Sequence, residues 1–279
     1  MRNHRPWPRA LGLYALLLVL AALFLTPLVW LLVLALKGPG EMLEFPPHFL
    51  PRNPRWQNFI DAMTFENVDF LGYTRNSLIL SIMYAALATI SSAFVGFGLA
   101  RLPAPGKKAI FALLVGTLMI PHMITLIPTY LIYSKVGLLN TYWPWVLSGL
   151  AGSSFLAFMF RQFFAGMPRE LEDASIVDGC GYYRMFWRIF LPLSKPVLAT
   201  SFVLSFVWTW GDWIMPAMLL NDEKSTLAVA VGSLYRDSAG NIVLHLIAAA
   251  AVLYSLPVLV LFLSLQRLFI RGIATSGLR

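Results

Sequence analysis

Six stretches of the chain are apolar over the length a helix needs to cross a membrane, about 20 residues. Five are free of charge: residues 10–36, 76–100, 109–134, 136–160 and 238–266. A sixth, 196–221, is interrupted only by Asp212. The expected architecture is an all-α polytopic membrane protein with transmembrane helices over 10–36, 76–100, 109–134, 136–160, 196–221 and 242–266. Lys135 alone parts the third run from the fourth, and Gly137, Asn140 and Pro144 supply the turn chemistry of a tight hairpin. A proline-rich segment, 37–75, and a second long connection, 161–195, complete the layout, with short ends at 1–9 and 267–279.

An even number of spans leaves both ends on one side, and the basic residues choose that side. With both termini inside, the inner segments carry roughly twice as many Lys and Arg as the outer ones. Cytoplasmic loops carry this excess, so N-in and C-in is expected, with 161–195 cytoplasmic and 37–75 outside. The basic start followed by an apolar run could be a secretion signal. A signal core is only about 7–15 residues long and ends in small residues, whereas this run is longer and ends in large ones. It reads as a retained first span.

Composition strengthens the membrane assignment. Of the 279 residues, 58% are hydrophobic and 12% are charged, and the mean hydropathy is +0.71. Soluble domains carry about twice that share of charge, so lipid must cover part of this surface. The net charge of +8 could suggest nucleic acid, but the basic residues lie dispersed between apolar runs rather than on one solvated face, and no nucleic-acid partner is expected. Cys180 is the single cysteine and is read as a small packing residue. His4, His48, His122 and His245 have no metal-ligand spacing, so neither a disulfide nor a metal centre is expected. Ser92, Gly96 and Ala100 recur four apart in the second run, which predicts a face where another helix approaches closely. Gly96-x-Gly98 is read as part of that packing rather than as a dinucleotide motif, because no strand precedes it.

The connection at 161–195 is the most informative segment. Pro168 with Glu170, Glu172 and Asp173 suits the first turn of a helix, where acidic groups meet the positive end of the dipole. Leu171, Ala174 and Val177 form a narrow apolar stripe, and Asp178-Gly179 supplies a left-handed stop. A second short helix is predicted over 182–190, ending before Pro192. The product is a helix-turn-helix on the cytoplasmic face, with small residues that let another protein seat closely.

This stretch resembles the EAA loop of the permease subunits of ABC importers. Asp173-Ala174-Ser175 stand at the E-A-A positions, Gly179 at the glycine, and Ile189-Phe190-Leu191-Pro192 at the I-x-L-P ending. Aspartate replaces glutamate and serine replaces the second alanine, changes that keep charge and small size. The likeness runs from about Leu11 to Gly277, with 76–279 as the permease core, and is nearest to the shorter permease of maltose-type carbohydrate importers. Thr74-Arg75-Asn76-Ser77, Ile120-Pro121 and Trp208-Thr209-Trp210 with Asp212 share in it, whereas Gly211 stands where such permeases usually have asparagine.

The resemblance implies a coupling helix between the fourth and fifth spans that docks an ATPase, with Leu171, Glu172, Asp173, Ala174, Ser175, Asp178, Gly179, Leu191 and Pro192 as coupling residues. It implies a homologous permease, two copies of an ATPase subunit and an extracytoplasmic substrate-binding protein as partners, in a bacterial inner membrane. The solute would be a sugar, a polyol or glycerol phosphate. The chain has no phosphate-binding loop, so ATP and Mg would be bound by partner subunits and no cofactor or catalytic residue is expected here.

The rival reading is a self-sufficient carrier, ion-coupled or passive. Such carriers place ionisable groups at midmembrane, and here only Asp212, His122 and His245 qualify, no two on one helix. Asp212, between Trp210 and Trp213, suits either a sugar-binding patch on the substrate path or an interfacial acid in an aromatic belt. His122 and His245 are read as interhelical hydrogen-bonding groups.

Overall fold

Helical propensity is realised wherever the runs are long, and breaks fall where proline or glycine interrupts them. The computed structural model describes residues 7–66 and 68–276, with side chains over 11–66 and 68–266. The outermost parts of the expected ends, 1–6 and 277–279, lie outside it. The described residues form helices α1 (Trp7–Leu36), α2 (Gln57–Met63), α3 (Phe70–Arg101), α4 (Lys107–Thr117), α5 (His122–Lys135), α6 (Trp143–Ala151) and α7 (Ser154–Ala165). There follow α8 (Glu170–Val177), α9 (Tyr182–Leu193), α10 (Lys195–Trp210), α11 (Ile214–Leu219), α12 (Leu227–Ser233) and α13 (Leu244–Ser276). Extended backbone pairs only in an isolated bridge between Arg236 and Ile242, among the described residues.

Four helices are long and apolar enough to cross a membrane: Leu11–Leu36, Phe70–Arg101, Trp143–Ala165 and Leu244–Gln266. Two bent pairs raise the number to six if each is one span: α4 with α5, bent by 98°, and α9 with α10, bent by 83°. The expected run 109–134 is therefore two helices rather than one. Pro121 is the physical reason, since it lacks an N–H and disfavours helical backbone at the residue before it. It adopts an extended conformation (φ −61°, ψ 129°) at the start of α5. α3 begins before Arg75, where charge counting placed the span's edge, because a charge at an interface need not end a helix.

The chain divides into two compact units. The first comprises residues 1–70 and 231–256. There α1 is exposed along its apolar length, a surface for lipid. Its end is tied down by buried Asn58 of α2, whose Nδ2 donates to the carbonyls of Ala35 and Lys37, each at 2.8 Å. Tyr235 stacks on Phe65 and donates its hydroxyl to the Ala62 carbonyl at 2.7 Å.

The second unit comprises 71–230 and 257–279. Its core is aromatic, with Phe97 of α3, Phe160 and Phe164 of α7, and Phe186 and Phe190 of α9 all buried together. The small-residue face of α3 meets α7 as the four-residue spacing requires. A Cβ added at Gly96 would lie 2.5 Å from the Phe160 Cβ and 3.0 Å from the Ala157 carbonyl oxygen. α6 and α7 are parted at Gly152 (φ +79°), and serines of α3 occupy the groups this break frees. Ser91 Oγ donates to the Gly149 carbonyl at 2.7 Å, and Ser92 Oγ accepts from the Ser153 N–H at 2.9 Å. A broken helix in lipid needs such partners for its backbone.

Candidate functional site

The predicted helix-turn-helix after α7 is present. α8 ends in a Schellman motif: the Cys180 N–H donates to the Ser175 carbonyl and the Gly179 N–H to the Ile176 carbonyl, both at 2.9 Å. Gly179 takes the left-handed conformation this requires (φ +71°), as its sequence context predicts. Burial splits the nine predicted coupling residues by helix face. Leu171 and Glu172 are half-buried and Ser175 is buried, its hydroxyl donating back to the Leu171 carbonyl at 2.5 Å. Asp173, Ala174, Asp178 and Gly179 are exposed, together with Ile176 and Val177, the latter 86% exposed. The outward face thus has an apolar tip flanked by carboxylates. Leu191 packs on the aromatic core and Pro192 is exposed.

α9 continues through Pro192 to Leu193, past its expected end. Residues Phe186–Phe190 form a π-turn, and in a regular helix Pro192 would clash with the carbonyl of Arg188. The wider turn moves that carbonyl away, which lets the proline stay inside the helix.

The inner side of α8 meets Arg101, the last residue of α3. Its side chain is 4% exposed. Nη1 donates to Glu172 Oε2 at 3.3 Å, Nε to the Phe164 carbonyl at 3.1 Å, and Nη2 to the Phe164 and Met167 carbonyls at 2.5 Å each. The guanidinium also lies 5.2 Å from the Phe190 ring centroid. Sequence reasoning counted Arg101 only as a basic residue near a span end, since nothing local reveals partners more than 60 residues away.

A second feature is a cavity of about 600 Å³ in the same unit, of the size of small-molecule sites. Tyr84 of α3, His122 and Tyr133 of α5, Trp145 of α6, Trp208 of α10 and Asp212 line it. Of the three residues expected on a substrate path, only Asp212 lines this cavity. Trp210 is 2% exposed and stacks on Phe206, and Trp213 is 47% exposed. Trp208 of α10 lines the cavity with Asp212, which lies in the break just past the end of that helix. Asp212 Oδ1 accepts from the Met215 N–H at 3.2 Å, which holds the backbone where α10 gives way to α11. His122 faces the cavity, whereas His245 lies in the other unit. Among the described residues no cluster of His, Cys, Asp and Glu is arranged to hold a metal.

Apolar helices of spanning length define an integral membrane protein. The chain belongs to the family of binding-protein-dependent transport system inner membrane components, whose profile matches residues 92–275. It is 32% identical over 258 residues to the probable ABC transporter permease protein YurM of Bacillus subtilis, covering 91% of this chain and 83% of that one. Identity to the melibiose/raffinose/stachyose import permease protein MelC of the same organism is also 32%, over 94% of each chain. The sn-glycerol-3-phosphate transport system permease protein UgpE of Yersinia pestis is 30% identical over 94% of this chain and 95% of its own. The fold resembles that of a chain in a bacterial ABC transporter involved in the import of the acidic polysaccharide alginate. That likeness has a TM-score of 0.76 at 18% identity, covering 96% of this chain and 99% of the other. The likeness to ABC importer permeases expected from the EAA-like loop therefore holds at family level.

Proposed function

We propose that this chain is one permease subunit of an ATP-driven importer that carries a sugar or related polyol into the cytoplasm. The observation that carries the reading is the two-faced α8, with one side fixed to the membrane core and an apolar, acid-flanked tip left exposed. This suits insertion into a cleft of an ATPase subunit, with 168–192 as the docking segment. Six spans with both termini inside, the bent pairs counted as one span each, put α8 on the side where ATP is available. The partners are a homologous permease, two ATPase copies and an extracytoplasmic binding protein, and the chain itself uses no cofactor.

Among relatives whose names include both a sugar and a glycerol phosphate, the cavity favours the neutral solute. Among the described residues its lining offers tyrosine and tryptophan faces, the Asp212 carboxylate and the His122 imidazole, with neither lysine nor arginine. Aromatic faces and a carboxylate suit sugar rings and hydroxyls, while a phosphate would meet a like charge.

The test is purification of the tagged chain from native membranes, followed by uptake in liposomes. Recovery of an ATPase, a second permease and a binding protein, with uptake that requires ATP, is the expected result. Uptake by the purified chain alone without ATP establishes the rival carrier reading instead.

A further inference from the structure

We infer that Arg101 is a positioning residue that joins the docking helix to the membrane helices, so that force on α8 reaches α3 and α7 through one side chain. The inference rests on the reading of α8 as the ATPase-docking element.

Arg101 gathers four segments at one point. Its own backbone ends α3, the Phe164 carbonyl lies in the last turn of α7 and the Met167 carbonyl in the connection after it, Glu172 lies in the first turn of α8, and Phe190 lies in the π-turn of α9. The connection from α7 to α8, only 166–169, holds no regular helix of its own. Met167 before α8 and Cys180 after it pack on the core through apolar contact, and the guanidinium adds a directional polar tie from the first turn of α8 to the ends of α3 and α7. Its planar fork offers five N–H donors in fixed directions, so bonds to three oxygens leave it little freedom to swing. Lysine carries the same charge on a single flexible point and cannot hold those oxygens in one plane.

The electrostatics explain why a charge is tolerated here with a side chain 4% exposed. The carbonyls at the end of α7 carry the negative end of its dipole, and that of Phe164 has spare acceptor capacity beyond its bond from the Met167 N–H. Glu172 supplies a full negative charge beside them. Glu172 and the buried Ser175 lie on one side of α8, and the exposed Asp173 and Val177 on the other. The helix can therefore be held from one side while a partner pushes on the other.

The experiment measures solute imported per ATP hydrolysed, using the complete complex reconstituted with its binding protein. Glu172→Gln keeps an acceptor for Arg101 and leaves the carbonyl bonds in place. Arg101→Lys keeps the charge and loses the fork. Ser255→Ala removes a partly buried hydrogen bond within α13, from Ser255 Oγ to the Val252 carbonyl at 2.7 Å, outside the docking segment, and serves as the control. Docking is followed separately, through a disulfide crosslink between Val177→Cys and a cysteine in the ATPase cleft, in a Cys180→Ser background.

Glu172→Gln and Arg101→Lys are expected to crosslink and hydrolyse ATP, while solute per ATP falls by about tenfold, a typical size for coupling between sites. Ser255→Ala keeps the wild-type ratio. An unchanged ratio in both variants, or hydrolysis and import falling together in proportion, overturns the inference, because either result leaves Arg101 a purely structural role. Should Arg101→Lys fail to assemble, Glu172→Gln alone decides by the same ratio. Absence of the crosslink in the wild-type background is a different failure, that of the docking reading itself.

Discussion

Replacing Gly96 with alanine tests the helix contact on which the second unit is built. The added Cβ would sit 2.5 Å from the Phe160 Cβ, 2.8 Å from the Arg161 nitrogen and 3.0 Å from the Ala157 carbonyl oxygen. Two of these atoms are backbone and the third is fixed to it, so no rotamer change relieves the overlap. Carbon atoms rest at about 3.5–4.0 Å, which means α3 and α7 must part by about 1 Å or more. The same movement stretches the Ser92–Ser153 bond one turn away and the Arg101 bonds at the end of α3. Overpacking of this kind costs about 1–3 kcal/mol, and immobile neighbours place Gly96 near the top of that range. Removing a helical glycine offsets about 1 kcal/mol, so the net loss is about 2 kcal/mol. Gly98→Ala is the matched control, since its Cβ meets only the Leu102 Cδ1, at 3.2 Å, the tip of a flexible side chain. Thermal unfolding in mild detergent, followed by tryptophan emission, should show Gly96→Ala melting several degrees below Gly98→Ala. Equal midpoints for the two would refute the close-contact argument.

Three other outcomes are expected. Gly179→Val should insert normally but lose ATP-driven uptake, while Gly179→Asn retains it. The position is left-handed with open space around the Cβ, so strain of about 1–2 kcal/mol, not crowding, separates the two variants. Asp212→Asn keeps an acceptor for the Met215 N–H and loses the charge; the KM for sugar uptake should rise about tenfold, the worth of one charge-assisted hydrogen bond. Unchanged uptake would remove Asp212 from the solute path. The 237–241 turn should loosen in acid: hydrogen bonds from the Asn241 backbone and side chain and the Ala239 N–H hold the Asp237 carboxyl below its ordinary value. A depressed carboxyl contributes stability above the ordinary value of 3.8 and loses it as pH falls through the folded value. Amide exchange at Ala239 and Asn241, corrected for intrinsic rate, should therefore stay level at neutral pH and accelerate only below about pH 4.

What the sequence revealed was local chemistry with a fixed period or a fixed conformational demand. The apolar runs located the long helices, the spacing of Ser92, Gly96 and Ala100 identified the face that meets α7, and Asp178-Gly179 marked the end of α8. Features that depend on partners far along the chain stayed hidden. Arg101 looked like one more basic residue at a membrane edge because its carbonyl acceptors lie on another helix. Ser91 and Ser92 gave no sign that they would satisfy the break at Gly152. His122 and Asp212, 90 positions apart, share a cavity, which no pattern in either segment records. The break at Pro121 was visible but lost its weight against an uninterrupted apolar run, since hydropathy sums over a window while a proline acts at one residue. The π-turn before Pro192 is the converse case, in which a local stop signal yielded to the packing of Phe186 and Phe190 in the core.

The bend between α4 and α5 bears on how a cell can make this protein. With 11 and 14 residues, the two pieces are about 16 and 21 Å long, each short of the roughly 30 Å hydrocarbon layer. The turn between them presents Met119, 85% exposed, and Ile120, with Ile124 and Ile127 following on α5. In a lone chain, backbone carbonyls of this turn that face acyl chains would have nothing to donate to them. In the proposed complex a second permease over the bend would remove that cost at assembly, so a copy synthesised without its companion would be a natural substrate for membrane quality-control proteases. Balanced production of the two subunits then becomes a requirement written into the shape of one helix pair, and unmatched expression should shorten the lifetime of this chain before any effect on transport is measured.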